Sequence, residues 1–400
     1  MKFLSLLVVA CVALTSSTEA VAPFFANGHG TTAIAGSYIV ILKDNSTVSS
    51  FETKFNSMSV RLRNSRGGGR APTISRTFLS LNGFAVSGSP DMLATLRDMN
   101  DVEFIEQDAI YRTQAAQKSP PSWGLPRVSQ RGALKSAKTS YVFANSAGAG
   151  VTAYVVDTGI NTAHKDFGGR ANMGANFIRG SPNTDENGHG THVAGTIGGT
   201  TYGVAKKVRL VGVKVLARDG SGSTSGIVAA LDWIISVNKG KKAVVNMSLG
   251  GGVSTALNQA TGRLFKAKIP VIVAAGNDEN INACNGSPSG APTVFTVGAS
   301  DIRDNVASFS SFGKCVKIFG PGVGITSAWI GSSTARNTIS GTSMATPHVV
   351  GVAALYLSSN ANLKTPAQVY KTLQSTATKN AIKGNLRGAA NLLVFNGGGK

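Results

Sequence analysis

Ser343 lies in the run Ser340-Gly341-Thr342-Ser343-Met344-Ala345-Thr346-Pro347-His348, small residues that lead into an apolar segment, Val349 to Leu357, at helical spacing. The pattern predicts a serine at the mouth of a helix, where unpaired N–H groups and the positive end of the helix dipole face whatever the hydroxyl attacks. A serine hydroxyl is a weak nucleophile and needs a base, which in turn needs an acid to orient it. Val155-Val156-Asp157-Thr158-Gly159 places an aspartate at the end of an apolar strand, and Asn187-Gly188-His189-Gly190-Thr191-His192 places a histidine where a helix begins. Taken alone, Asp157 reads better as a strand-ending turn aspartate. The order acid, base, nucleophile is one of those in which this triad occurs. Of the other histidines, His29 falls in a Gly-rich linker, and His164, His192 and His348 read as structural. The His189-x-x-His192 pair lacks the glutamate and the third ligand of a zinc site, so no metal is assigned there.

The elements that must position these groups alternate. Val151–Val156, Val208–Leu216, Ala243–Leu249 and Val271–Ala275 read as buried strands, and 226–237 and 255–267 as helices, one face of the first carrying Ile227, Ala230, Leu231, Ile234 and Ile235. Apolar strands alternating with helices predict an α/β fold with a parallel central sheet and helices on both faces. Sites in such sheets form at the carboxyl ends of strands, and Asp157, Ser248 and Asn277 all fall there. The N-terminal part differs. Strands at 37–43, 74–87 (turning at Asn82-Gly83) and 102–111, with helices at 47–60 and from Pro90, follow a βαββαβ order that predicts a small α+β ferredoxin-like domain.

Met1-Lys2-Phe3, the apolar run Leu4–Leu14 and Ala20-Val21-Ala22 make residues 1–22 a signal peptide, too short to span a bilayer. No later stretch reads as transmembrane, so secretion is expected. Cys11 leaves with that segment, and Cys284 and Cys315 remain in an oxidising compartment, either bridged or as two free thiols. The formal charge is +20. Residues 1–114 hold 10 basic and 9 acidic side chains, which leaves 29 and 10 for 115–400. That excess favours anionic surfaces as partners, or serves only to solubilise. It has no aromatic interleaving and no nucleic-acid motif.

These stretches together resemble the subtilisin-like serine proteases. Tyr202-Gly203-Val204-Ala205-Lys206-Lys207, Asp219-Gly220-Ser221-Gly222-Ser223 and Ser248-Leu249-Gly250-Gly251-Gly252 look like the proteinase K branch. The resemblance implies a serine endopeptidase with Asp157, His189 and Ser343 as catalytic residues and Asn277 as oxyanion-hole donor. It implies that 23–114 is a propeptide, a folding assistant and inhibitor that blocks the cleft through 110–114. The catalytic domain is then 115–400, with self-cleavage after Gln114. Gly220-Ser221-Gly222 and Ser248-Leu249-Gly250 would flank bound peptide, and Ala274, Gly276 and Gly250 would line an apolar first pocket. Broad cleavage after large apolar or aromatic residues by a monomer is expected. A Cys284–Cys315 bridge resembles one in thermophilic relatives.

One departure concerns calcium. The branch holds a strong ion with two carbonyls, here those of Pro292 and Val294, and an aspartate whose place is taken by Lys317. An ammonium repels calcium, so this site is expected to be lost, with the lysine bonding the freed carbonyls. Asn45, Asn246 and Asn285 begin glycosylation patterns, of which Asn285 lies in a loop.

Overall fold

The computed structural model describes residues 21–26, 32–64, 71–113, 116–117, 122–134 and 140–398. Nearly all of the signal-peptide segment and the expected junction at Gln114 lie outside them. A nine-stranded sheet organises the larger part. Its order is Thr378–Lys379, Leu392–Leu393, Val316–Pro321, Phe295–Ser300, Val271–Ala274, Ala243–Met247, Thr152–Asp157, Arg209–Lys214 and Ala171–Asn176. Neighbours run parallel except the first two, which are antiparallel.

Alternation along each strand builds two cores. Ala153 and Val155 point into one, packed beneath the helices His189–Gly198, Thr342–Ser359 and Pro366–Thr376. Tyr154 and Val156 point into the other, beneath Thr224–Asn238 and Thr255–Lys266. Both faces are thus covered, which is why these strands read as continuous apolar runs. After Thr152–Asp157 the chain builds strands on one side and then crosses to build Ala243–Met247 on the other. The crevice at that switch point lies at the carboxyl ends of these two strands.

The N-terminal domain has the strand order Val102–Thr113, Thr32–Leu42, Gly83–Ser87, Thr73–Phe78, the ferredoxin-like arrangement, with Phe24–Phe25 added at the edge. Tyr38, Val40 and Leu42 pack on Phe51, Phe55, Met92 and Leu96 of its own helices. Ile39, Ile41, Phe78 and Phe104 point the other way and join the core of the two helices 224–238 and 255–266. The domain therefore shares an apolar interface with the body.

Candidate active site

Asp157 is the last residue of its strand, and His189 is the first of its helix. Asp157 Oδ1 accepts from His189 Nδ1 at 2.8 Å and from the N–H of Thr158 at 2.7 Å. Both side chains are buried, at 0 % and 2 % exposure. His189 Nε2 has no partner among the described residues, so the nitrogen that a base must keep free is free. The helix turns in tightly behind it. Gly188 has φ of +102°, and a Cβ there would meet the Trp329 ring at 2.4 Å, so only glycine fits.

Ser343 is the second residue of Thr342–Ser359 and fully buried. Its Oγ donates to the carbonyl of Ser248 at 3.2 Å, and Ser248 Oγ donates to the Ser343 carbonyl at 2.9 Å. The second bond is available because of Pro347. Four residues on, it lacks the N–H that would otherwise close a helical bond to that carbonyl. Asn277 Oδ1 accepts from both the N–H and the hydroxyl of Thr342, each at 2.8 Å. With its oxygen so engaged, the amide Nδ2 is the end left to donate. Gly276 N–H donates to Thr342 Oγ1 at 3.2 Å, which ties the end of Val271–Ala274 to the same helix start.

The other two histidines of these motifs are structural. His192 Nε2 meets the carbonyl of Ile325 at 2.9 Å, and His348 Nδ1 that of Met344 at 2.8 Å. Burial pushes them down to about 3 and about 4, so both stay neutral. His189 and His192 address different partners rather than a shared ion.

The two expected cleft edges are strands, and they are occupied. Ser221–Ser223 pairs antiparallel with Val102–Thr113 in the register Ser221↔Arg112, Gly222↔Tyr111 and Ser223↔Ile110. Leu249–Gly250 pairs antiparallel with its other edge, Leu249↔Thr113 and Gly250↔Arg112. The end of the N-terminal domain is therefore the middle strand of three. At Gly222 a Cβ would lie 2.0 Å from the Val215 carbonyl, so the edge strand can sit there only as glycine. Ala116–Gln117 then pairs with the strand just before Ser343, Ser340↔Ala116 and Ile339↔Gln117. Ala274 is buried at the end of its strand, and Gly250 and Gly276 are half-buried.

The subtilase family profile matches residues 148–391, and the peptidase inhibitor I9 profile matches residues 37–114. The chain belongs to the subtilase family. It is 47% identical over 375 residues to the extracellular serine proteinase of Thermus sp. (strain Rt41A), spanning 91% of this chain and 90% of that one. It is 43% identical over 367 residues to subtilisin-like protease 2 of Pseudogymnoascus destructans, spanning 92% and 90%. A crystal structure of a cold adapted subtilisin-like serine proteinase superposes with a TM-score of 0.64 at 47% identity, covering 70% of this chain and 99% of that one. This subtilase is thus a serine endopeptidase carrying an inhibitory propeptide domain.

Its Cys284 and Cys315 are disulfide-bonded, 31 residues apart. A loop of that length contributes roughly 3–4 kcal/mol by restricting the unfolded chain. Lys317 differs from expectation: its ammonium meets the carbonyl of Lys314 at 3.1 Å, not those of Pro292 and Val294. The backbone three residues before it offers a nearer acceptor at the strand's start. Asn285 is exposed, while Asn246 is buried with its amide on Ser248 Oγ. No helix among the described residues is long and apolar enough to cross a membrane.

Asp185 was not singled out from the sequence. Buried, it accepts from Thr158 Oγ1 (2.8 Å), the N–H groups of Asn187 (3.0 Å), Gly188 (2.9 Å) and Thr191 (2.9 Å), and Thr191 Oγ1 (2.5 Å). It fastens the helix of His189 to the residue that follows Asp157. The available signal was an acid a few residues ahead of a helix start, where negative charge meets the free N–H groups. Lys214 was missed as well: fully buried at its strand's end, it donates to the carbonyls of Thr158 (2.8 Å) and Leu216 (3.2 Å).

Proposed function

We propose that this subtilase is secreted as a zymogen and cleaves itself after Gln114. Ser343 then acts as nucleophile, His189 as base and then acid, and Asp157 as the carboxylate that fixes the imidazole tautomer and stabilises the imidazolium. For attack, Ser343 Oγ leaves the Ser248 carbonyl and engages the free Nε2 of His189. The tetrahedral oxyanion is met by the Ser343 N–H at the helix start and by Asn277 Nδ2, a donor worth roughly 3–4 kcal/mol in the transition state. Substrate enters as an extended strand between Gly220–Gly222 and Ser248–Gly250. Main-chain pairing of this kind supplies affinity with little sequence demand. Ala274, Gly276 and Gly250 leave an apolar pocket that favours large apolar or aromatic residues before the cut. The extracellular relatives support secretion.

The observation that carries this reading is the path of the propeptide. It pairs with both edges up to Thr113 and continues at Ala116 beside the strand that leads into Ser343. The test expresses the precursor and its Ser343→Ala form side by side. Secreted mass, N-terminus and the rates on casein and on an aromatic-ending peptide are read for each. The wild type loses about its first 114 residues and cleaves, while the variant keeps its propeptide and is inert. Equal processing of the variant in the absence of other proteases would sink the assignment.

A further inference from the structure

Upstream of the segment that lies in the cleft, the propeptide strand carries two acids two residues apart. Glu106 Oε2 accepts from the N–H of Ala256 at 2.5 Å, and Asp108 Oδ1 from the N–H of Ser225 at 2.9 Å. These N–H groups open the helices Thr255–Lys266 and Thr224–Asn238, whose N-caps are Ser254 and Ser223. Each cap satisfies the third N–H of its helix, Leu257 and Gly226, and leaves the second to a group from outside. The two helices are neighbours on one face of the sheet. Side chains two apart on a strand share a face, so one extended chain reaches both helix starts at once.

We propose that, once the propeptide has gone, this pair of helix starts is a substrate exosite that reads acidic side chains two residues apart, upstream of the cleft. It rests on the reading that substrate follows the path of the propeptide strand. Counting Gln114 as the first residue before the cut, Asp108 is the seventh and Glu106 the ninth. Among the described residues, the hydrogen bonds to the second N–H of these two helices come from Glu106 and Asp108. Asp232, on the same helix as Ser225, faces instead the N–H groups of Leu79 and Ser80. In the precursor, burial raises the affinity of Glu106 and Asp108 for protons, whereas their hydrogen bonds to the helix starts lower it. A peptide strand without the rest of the domain leaves the acids in water and keeps only the second effect, so the ionised form is the ligand.

The test uses processed wild-type enzyme and peptides identical in the five residues before the cut. One has Glu and Asp at the ninth and seventh positions, one has Gln and Asn there, and one has the acids moved to the eighth and sixth. The first is expected to show a KM about tenfold below the second at low salt with kcat unchanged, a gain lost at about 0.5 M salt. The third points its acids to the opposite face and gains nothing. Equal KM for the first two, or an equal gain for the shifted acids, overturns the exosite. The latter would mean general attraction to a basic body. Failure of the underlying reading looks different, because product masses would then show cleavage at another bond. Ser225→Pro with Ala256→Pro removes both donors at positions where a helix tolerates proline, and should abolish the gain.

Discussion

Asp185 of the catalytic body and Glu106 of the propeptide are both buried, but they are held in opposite ways. Asp185 accepts five hydrogen bonds from one short stretch and its neighbour Thr158, all within the body. Glu106 rests on the backbone of another domain, with no partner for Oε1 among the described residues, and burial pushes its carboxyl up to about 7. A carboxylate saturated by donors close along the chain is permanent structure. One that is buried against a neighbouring domain at a net cost suits the separable interface proposed above. Asp185 is held within the body, whereas Glu106 and Asp108 of the propeptide and Asp232 of the body reach across the interface.

That contrast can be broken first where the body is most committed. Asn277→Ala removes the proposed side-chain oxyanion donor and also the acceptor of the Thr342 N–H and hydroxyl. kcat should fall by about 10²–10³ with KM little changed, read by steady-state kinetics on one peptide. A fall confined to KM would mean that Asn277 serves binding and not the transition state. Asp185→Asn turns an all-acceptor group into one that presents an NH₂ to Thr191, whose N–H and hydroxyl both donate. About 2–3 kcal/mol of stability should be lost, together with kcat, as the His189 helix loosens from Thr158. Thermal melts and kcat of the processed variant check this. An unchanged kcat in a destabilised enzyme would leave Asp185 a purely structural residue.

The legible parts of this chain were those where one short stretch both forms an element and carries its chemistry. Asp157, His189 and Ser343 each end or begin an element whose apolar spacing is visible in a few residues, and the parallel sheet followed from such runs. The stretches 220–222 and 248–250 were expected as extended edges from the family resemblance, and 221–223 and 249–250 do form strands that pair with residues 110–113. What escaped notice depends on partners distant along the chain. Glu106 and Asp108 look like the solvated face of a strand, because the helix starts they meet are 150 and 117 residues away. The buried pair Arg127–Asp304, at 2.7 Å, spans 177 residues and has no local signal. Ala171–Asn176 is an edge strand of small and polar residues, stabilised by its neighbour and not by its own pattern. Lys317 was expected, from the family resemblance, on the carbonyls of Pro292 and Val294, whereas it takes one three residues away.

The propeptide side of the contrast predicts a pH dependence with a definite sign. Burial raises the Glu106 carboxyl from an ordinary 4.5 to about 7, and its burial against the helix start of the body makes docking take up a proton. Asp108 shifts in the same direction, also through burial. The docked state is favoured most below the free value and weakens as pH rises through 7. Release of the cleaved propeptide, followed as recovery of peptidase activity, should be about ten- to a hundredfold easier at pH 8 than at pH 5. Glu106→Gln should flatten most of that slope, with Asp108 supplying the remainder. A slope of opposite sign would mean that the helix starts dominate burial and that the docked carboxylates are ionised throughout.

The smallest effect is expected where a cation is already part of the body. The ammonium of Lys317 lies beside the Lys314 carbonyl, and the Cys284–Cys315 bridge closes the same region. A divalent ion on the Pro292 and Val294 carbonyls would have a lysine in place of the branch's aspartate, a positive charge nearby instead of a hard oxygen donor. Chelation by EDTA should therefore shift the Tm of the processed enzyme by less than about 1 °C through this locus, within the few degrees that ~1 kcal/mol would move it. Lys317→Asp removes the repelling charge and adds a hard oxygen donor. If its Tm then rises with added calcium while the parent's does not, the lysine is what excludes the ion. If the parent itself loses several degrees in EDTA, calcium stabilises it from other ligands, and the bridge and lysine have not replaced the metal.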